Sequence, residues 1–391
     1  MLANTLSLMR YVMSGRVSRT HVIWFSLLAL SGCYGTSSAD GDGSAGDRTK
    51  SGPQRIRIVA TTGMVADMVR HVAGERGDVQ GLIGSGVDPH LFKATRHDIK
   101  QLQEAEVVFY SGLMLEGRMQ DALRQVDSSR RPVVAVTDGL DKDFLRSPAE
   151  FEGHFDPHVW MDVAAWSRCV DRVVETLATF DSAHAEEFRQ NAKAYQSELT
   201  QLDDYVRGVI ESIPAPQRVL VTAHDAFGYF GRAYGIEVRS VQGVTTESEA
   251  GVHDVNRLVD FLVARKLPAI FVESSVNEKN IRAVIEGTDS RHVTVRVGGE
   301  LFSDAMGVEG TYEGTYIGML DHNATRIARA LGGAAPEKGL HGKLGNGVTR
   351  KGSVPLLAFG SLSALIGLST FAAKLRGRRR FRRPMRLVRI V

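Results

Sequence analysis

The chain has 391 residues, 43% hydrophobic and 24% charged. That is enough for two packed domains plus ends, and it excludes a disordered chain or a disulfide-stapled mini-protein. The formal charge of +3 is uneven: residues 1–33 hold three basic and no acidic groups, residues 374–391 hold nine basic and none acidic, and the stretch between holds 36 basic against 45 acidic. An acidic body offers no basis for a nucleic-acid partner, and with only Cys33 and Cys169 present a cysteine-built zinc or redox centre is excluded.

In chain order, Arg10, Arg16 and Arg19 precede an apolar stretch from Val22 to Leu30. It is too short to cross a hydrocarbon layer of ~30 Å and reads as an export signal. Its end, Leu30-Ser31-Gly32-Cys33, resembles the bacterial lipobox, which implies that Cys33 is acylated and becomes the first mature residue. Residues 34–54 are rich in Gly, Ser and Asp and read as a flexible tether.

The alternating run Arg55–Thr62 predicts a strand, and the apolar positions Met64, Val65, Met68, Val69 and Val72 after Gly63 predict a helix, giving a βα unit. Short apolar runs at Val107–Tyr110 and Val133–Val136 predict buried strands of a parallel sheet. From Ser182 to Ile213 apolar residues recur every three to four positions, as in Phe188, Ala192, Tyr195, Leu199, Leu202, Val206 and Val209. This predicts one amphipathic helix, ended by Pro214 and Pro216. Strands are then expected at Val219–Thr222, Ile236–Val238, Ala269–Val272 and Val293–Val295. The fold class is therefore α/β: one lobe over 55–181, a stiff linking helix over 182–213 and a second lobe over 214–335. A linker over 336–353 leads to residues 354–373, twenty uncharged and mostly apolar positions followed by the basic tail 374–391. That pattern predicts a transmembrane helix with the tail in the cytoplasm and the body outside.

Three of the twelve histidines stand apart; His184, His292 and His341 read as surface residues. The triplet Asp-Pro-His occurs twice, at Asp88-Pro89-His90 and Asp156-Pro157-His158, and in each the proline stiffens the turn before the imidazole. His224 follows the strand at 219–222, at the carboxyl end where open α/β sheets bind ligands. Three such histidines could converge at a cleft between lobes with a carboxylate as fourth ligand. Asp225, Glu247, Glu249, Glu273 and Asp304 are the candidates, with Glu273 and Asp304 each following a strand.

The stretches Asp-Pro-His-Leu-Phe-Lys-Ala-Thr, Asp-Pro-His-Val-Trp-Met-Asp, Thr-Ala-His-Asp-Ala-Phe-Gly-Tyr-Phe, Phe-Val-Glu-Ser-Ser-Val-Asn and Ser-Asp-Ala-Met-Gly, in this order, resemble the TroA-like metal-binding lipoproteins that feed zinc and manganese ABC importers. The likeness runs from about Ile56 to Leu331. It implies two α/β lobes joined by a single long helix, one divalent ion between them, and metal ligands at His90, His158, His224 and Asp304. It places Glu273 beside the site without ligating, and implies a permease and a separate ATPase as partners of a monomeric receptor. Residues 138–157 hold only His154, unlike the long histidine-rich loop of many zinc-dedicated relatives, while manganese-type relatives often carry Glu where this chain has His224. A C-terminal span is not a usual feature of the family.

Three neutral imidazoles and one carboxylate suit Zn²⁺ in four-coordinate geometry, or Mn²⁺ if the carboxylate binds through both oxygens. Affinity is expected to weaken below about pH 6.5, where free imidazole takes up a proton. No catalytic residue is assigned. The rival readings are a metal-dependent hydrolase, with Glu273 as general base and Asp304 not ligating, and an adhesin or metal-sensing surface protein.

Overall fold

A computed structural model describes residues 55–126, 128–151, 153–336 and 339–340. Cys33, the expected leader and tether over 1–54, the apolar stretch 354–373 and the basic tail lie outside them, as does His341. Among the described residues no helix is long and apolar enough to cross a membrane.

The first lobe is built on β1 (Ile56–Ala60), whose Ile58, Val59 and Ala60 are buried, and on α1 (Gly63–Ala73), capped by the Thr62 hydroxyl. β2 (Gly77–Gly81) pairs with β1 in parallel, β3 (Val107–Tyr110) lies on the other side of β1, and β4 (Val133–Ala135) pairs with β3. The sheet order is β2-β1-β3-β4. β2 escapes a reading based on apolar runs because Gly-Asp-Val-Gln-Gly is half-exposed at the sheet edge, where only backbone pairing marks it as a strand. Helices α2 (Arg96–Glu104), closed by a Thr95/Asp98 capping box, and α3 (Gln120–Gln125) follow β2 and β3.

Two antiparallel helices come next: α4 (Val163–Phe180) and α5 (Ala185–Glu211), the latter preceded by a 3₁₀ turn over Ser182–His184. The 27 residues of α5 span about 40 Å, and its buried face is the one the periodicity predicts. The Tyr195 hydroxyl donates to Asp67 on α1 at 3.1 Å, while Tyr205 lies 3.1 Å from Thr325 in the second lobe. One rigid element is thus fastened to both halves of the fold.

The second lobe pairs β5 (Val219–Thr222) with β6 (Glu237–Ser240) and β7 (Ala269–Glu273) with β8 (Arg296–Leu301), all parallel, with β5 beside β7. Around them lie α6 (Gly228–Tyr234), α7 (Val252–Arg265), α8 (Lys279–Asp289) and α9 (Tyr316–Ala330). The last strand falls on 296–301 rather than on 293–295. The chain leaves α8 through a turn with His292 at φ 59 and Val293 still bonded to Thr288, so the ladder starts only at Arg296, on the Pro268 carbonyl. Beyond α9 the chain keeps packing as far as Leu340, which is buried and donates its backbone N–H to Asp321.

Candidate metal centre

Each of the four expected ligands is delivered by a short piece of backbone that the sequence makes rigid. His90 lies in the loop after β2, where its backbone N–H donates to Asp88 Oδ1 at 2.8 Å. His158 opens a 3₁₀ turn, Val159–Met161, which ends at Asp162; the Asp162 carboxylate accepts from Ala165 and caps α4, so the turn is clamped at both ends. His224 stands two residues past β5, and its backbone N–H together with that of Ala223 donates to Glu273 Oε1 at 2.9 and 2.7 Å. Asp304 follows β8 through Phe302, whose N–H is held by the Asn323 side chain. His90, His224 and Asp304 all lie beyond the carboxyl ends of parallel strands, where such sheets gather ligands.

The four side chains meet. One donor atom from each lies within 4.8 Å of every other. His90 Nε2 is 3.4 Å from His158 Nε2, His158 Nε2 is 3.2 Å from Asp304 Oδ1, His224 Nε2 is 3.1 Å from Asp304 Oδ2, and His90 Nε2 is 3.9 Å from the same oxygen. A tetrahedral ion with bonds of about 2.0–2.1 Å has ligand-to-ligand edges of about 3.4 Å, which these separations bracket. His158, His224 and Asp304 are 0–1% exposed and His90 4%. Both Asp304 oxygens and both His224 ring nitrogens are buried without an aligned hydrogen bond, although they stand at ion-pair distances from their neighbours. Buried polar atoms of that kind are costly unless something else satisfies them, and a cation at their common centre does so.

The far nitrogens of two of the imidazoles are also held. His158 Nδ1 faces Asp156 Oδ1 at 2.8 Å, and His224 Nδ1 faces Glu273 Oε2 at 2.6 Å. A carboxylate there fixes the tautomer that leaves Nε2 free to bind metal. Asp156 also accepts from the His158 backbone and from Arg146. The reading of the sequence missed Asp156, though it stands inside the repeated triplet, because it valued the proline for stiffness and gave the aspartate no task. Trp160 was missed too: its indole packs edge-on against His158, and Nε1 donates to the Ser303 carbonyl at 2.9 Å, tying the first lobe to the residue before Asp304. Of the other carboxylates considered, Glu247 pairs with Arg118, Glu249 with Lys279, and Asp225 lies 3.7 Å from Arg146. None of the three joins the cluster.

Protons compete for the same nitrogens. Burial is the largest influence on each imidazole and opposes its charged form; at His90 it prevails and lowers the pKa to about 3. At His158 burial is outweighed by Asp156 and Asp304 together, and the pKa rises to about 9. At His224 burial is likewise outweighed by Asp304 and Glu273, and the ring holds its proton well above the ordinary imidazole range. Asp304 is pushed up by burial but held well below the usual carboxylate range by the His224 and His158 cations. At His158 and His224, though not at His90, the neighbouring carboxylates move proton competition well above the value of about 6.5 that free imidazole suggests.

The family described as "ZnuA: Zinc-uptake complex component A periplasmic" matches residues 58–330. The manganese-binding lipoprotein MntA of Bacillus subtilis is 45% identical over 309 residues, 79% of this chain and 97% of that protein. The manganese ABC transporter substrate-binding lipoprotein PsaA of Streptococcus anginosus is 27% identical over 315 residues, 79% of this chain and 97% of that protein. The solved structure of the periplasmic zinc-binding protein TroA of Treponema pallidum superposes with a TM-score of 0.69 at 48% identity, covering 71% of this chain and 99% of that one.

Proposed function

We propose, from the premise that this chain belongs to the family of periplasmic zinc-uptake components, that it captures one divalent transition-metal ion outside the cytoplasmic membrane and delivers it to an ABC permease served by a separate ATPase. The observation that carries this reading is the convergence of His90, His158, His224 and Asp304, buried, from both lobes, with donor atoms all within 4.8 Å of one another. A zinc-named and a manganese-named relative are almost equally similar to the chain, so likeness does not select the ion. Donor chemistry favours zinc by intrinsic affinity and leaves manganese to supply or kinetics.

The ion is cargo and no catalytic residue is assigned. A hydrolase would need a general base near the ion, yet Glu273 spends Oε1 on two backbone donors and sets Oε2 against His224. Closure is supported by contacts across the cleft: Trp160 to Ser303, Ser85 to the Met306 carbonyl at 2.9 Å, and Thr246 to Asp88 at 2.5 Å. With α5 fastened to both lobes, loading the ion rearranges them by a small amount rather than swinging them apart.

Lipidated Cys33 and the apolar stretch 354–373 are two anchors to the same membrane, with the body on its outer side. Cys33→Ala alone and removal of 354–391 alone each leave the protein in the membrane fraction, and only the combination releases it. Release by Cys33→Ala alone removes the second anchor from this account. The receptor reading itself is tested by stripping the purified protein with a chelator and measuring competitive uptake of zinc, manganese and iron at controlled pH by elemental analysis. One equivalent of ion is expected, and failure to retain any of the three ends the proposal.

A further inference from the structure

A groove of about 740 Å³ lies beside the second lobe, within the size range of small-molecule sites. Of the charged side chains that line it, four are arginines, Arg146, Arg232, Arg239 and Arg257, and one is a carboxylate, Asp225; Phe261 contributes to its apolar part. None of His90, His158, His224 or Asp304 lines it.

The guanidinium groups are positioned by packing. A Cβ on residue 228 would overlap the Arg146 guanidinium, so glycine there is what lets that arginine lie where it does. Arg232 sits over the rings of Phe144 and Tyr229 at 4.1 and 5.0 Å, and Arg239 over Phe261 at 5.2 Å. Each guanidinium carries five N–H donors. Arg239 spends two N–H-bearing nitrogens on Glu237, Arg257 pairs with Asp254, Arg232 donates to the Phe144 carbonyl, and Arg146 to Asp156. Arg146 also lies 3.7 Å from Asp225 in the lining and Arg232 4.0 Å from Asp162, so each guanidinium is partly compensated; with five N–H donors on each, the concave wall still presents four guanidinium groups against one carboxylate.

We propose that this groove binds a small soluble anion carrying phosphate-, sulfonate- or carboxylate-type groups, and that through Arg146 the bound anion strengthens metal binding. Arg146 is shared: one nitrogen donates to Asp156, which in turn holds the His158 ring. An anion that draws on Arg146 leaves the charge of Asp156 less compensated and adds negative charge of its own near the cation. Where the imidazoles carry no proton both changes favour the ion, and by reciprocity the ion favours the anion by the same factor; where two protons leave as the ion enters, the net charge is unchanged and the coupling vanishes.

The test titrates the full chain, in detergent and stripped of metal, with ethane-1,2-disulfonate, a dianion that does not chelate zinc or manganese, at ionic strength fixed with sodium chloride. One saturable site is expected, weakened at least about tenfold in Arg239→Ala/Arg257→Ala, whose metal stoichiometry stays unchanged because neither residue touches the ligand cluster. Heat that never saturates, or equal binding in the double variant, overturns the groove. So does a response to phosphatidylglycerol vesicles with none to the soluble disulfonate, which would describe a membrane surface instead. The coupling arm rests on the metal-binding reading: at a pH above that at which the cluster imidazoles hold protons, saturating disulfonate tightens zinc binding about fivefold in the wild-type chain and has no such effect in Arg146→Gln. Unchanged or weaker zinc affinity in the wild type overturns the coupling, while the metal-free titration still judges the groove independently.

Discussion

The two Asp-Pro-His turns share a sequence and perform different tasks. In the second, Asp156 reaches past the proline to the ring of His158, accepts from its backbone as well, and is itself held by Arg146; aspartate and histidine are both fully buried. In the first, Asp88 accepts from the His90 backbone and turns its other oxygen to the Thr246 hydroxyl across the cleft. One triplet therefore orients an imidazole of the cluster, and the other fastens the loop that carries His90 to the opposite lobe. A proline-stiffened turn fixes where the imidazole starts, and the surrounding lobe decides what the neighbouring carboxylate does.

The comparison is most directly strained by removing the imidazoles. His158→Ala is expected to lose most bound metal, since it deletes a donor and strands Asp156 as a buried carboxylate without its ring partner; undiminished stoichiometry by elemental analysis would remove His158 from the ligand set. Next comes pH. His158 and His224 hold protons near neutral pH before an ion enters, whereas His90 does not. Loading should therefore release about two protons, and affinity should fall about 100-fold for each unit of pH lost around neutrality. Calorimetry in buffers of different ionisation enthalpy reads that number directly, and a release near zero or three contradicts the assignment of protons to the second turn and not the first.

The carboxylates sharpen the contrast further. Asp156→Asn should weaken metal binding by about 10- to 100-fold, the range for a group that orients a ligand, and Asp88→Asn by less than about threefold, since it touches only backbone and a hydroxyl. Equal losses would mean that the two aspartates do the same work. The smallest effect belongs to the seam between the lobes: Trp160→Phe deletes the bond to Ser303 and should lower stability by about 1 kcal/mol, seen as a reduced denaturant midpoint, with metal stoichiometry unchanged.

Much of this was legible without coordinates because the relevant signals are local. Apolar runs announced β1, β3, β4, β5 and β7, and the three-to-four spacing from Phe188 to Val209 gave the face of α5 that is buried. The signal failed where strands hold few apolar residues, at β2 and β8, whose glycine-rich segments put only Val79 and Leu301 against the core and are marked as strands chiefly by backbone pairing. The three histidines that cluster were legible because stiff turns and strand ends are local features. Asp304 and Glu273 stayed rivals on the residues alone, since both follow strands.

The sequence by itself determined the alternation of strands and helices, the long connector, the three metal-type histidines and the short list of acidic partners, all of which depend on residues near one another in the chain. Only the tertiary structure decided that Asp304 points into the cluster while Glu273 stands behind His224, that Asp156 and Asp88 divide their duties, and that Trp160 closes the seam. Those outcomes depend on which groups lie opposite across a cleft, separated by up to 214 positions between His90 and Asp304. Burial then sets the strength of each charge interaction, and burial belongs to the packed lobes rather than to any segment of the chain.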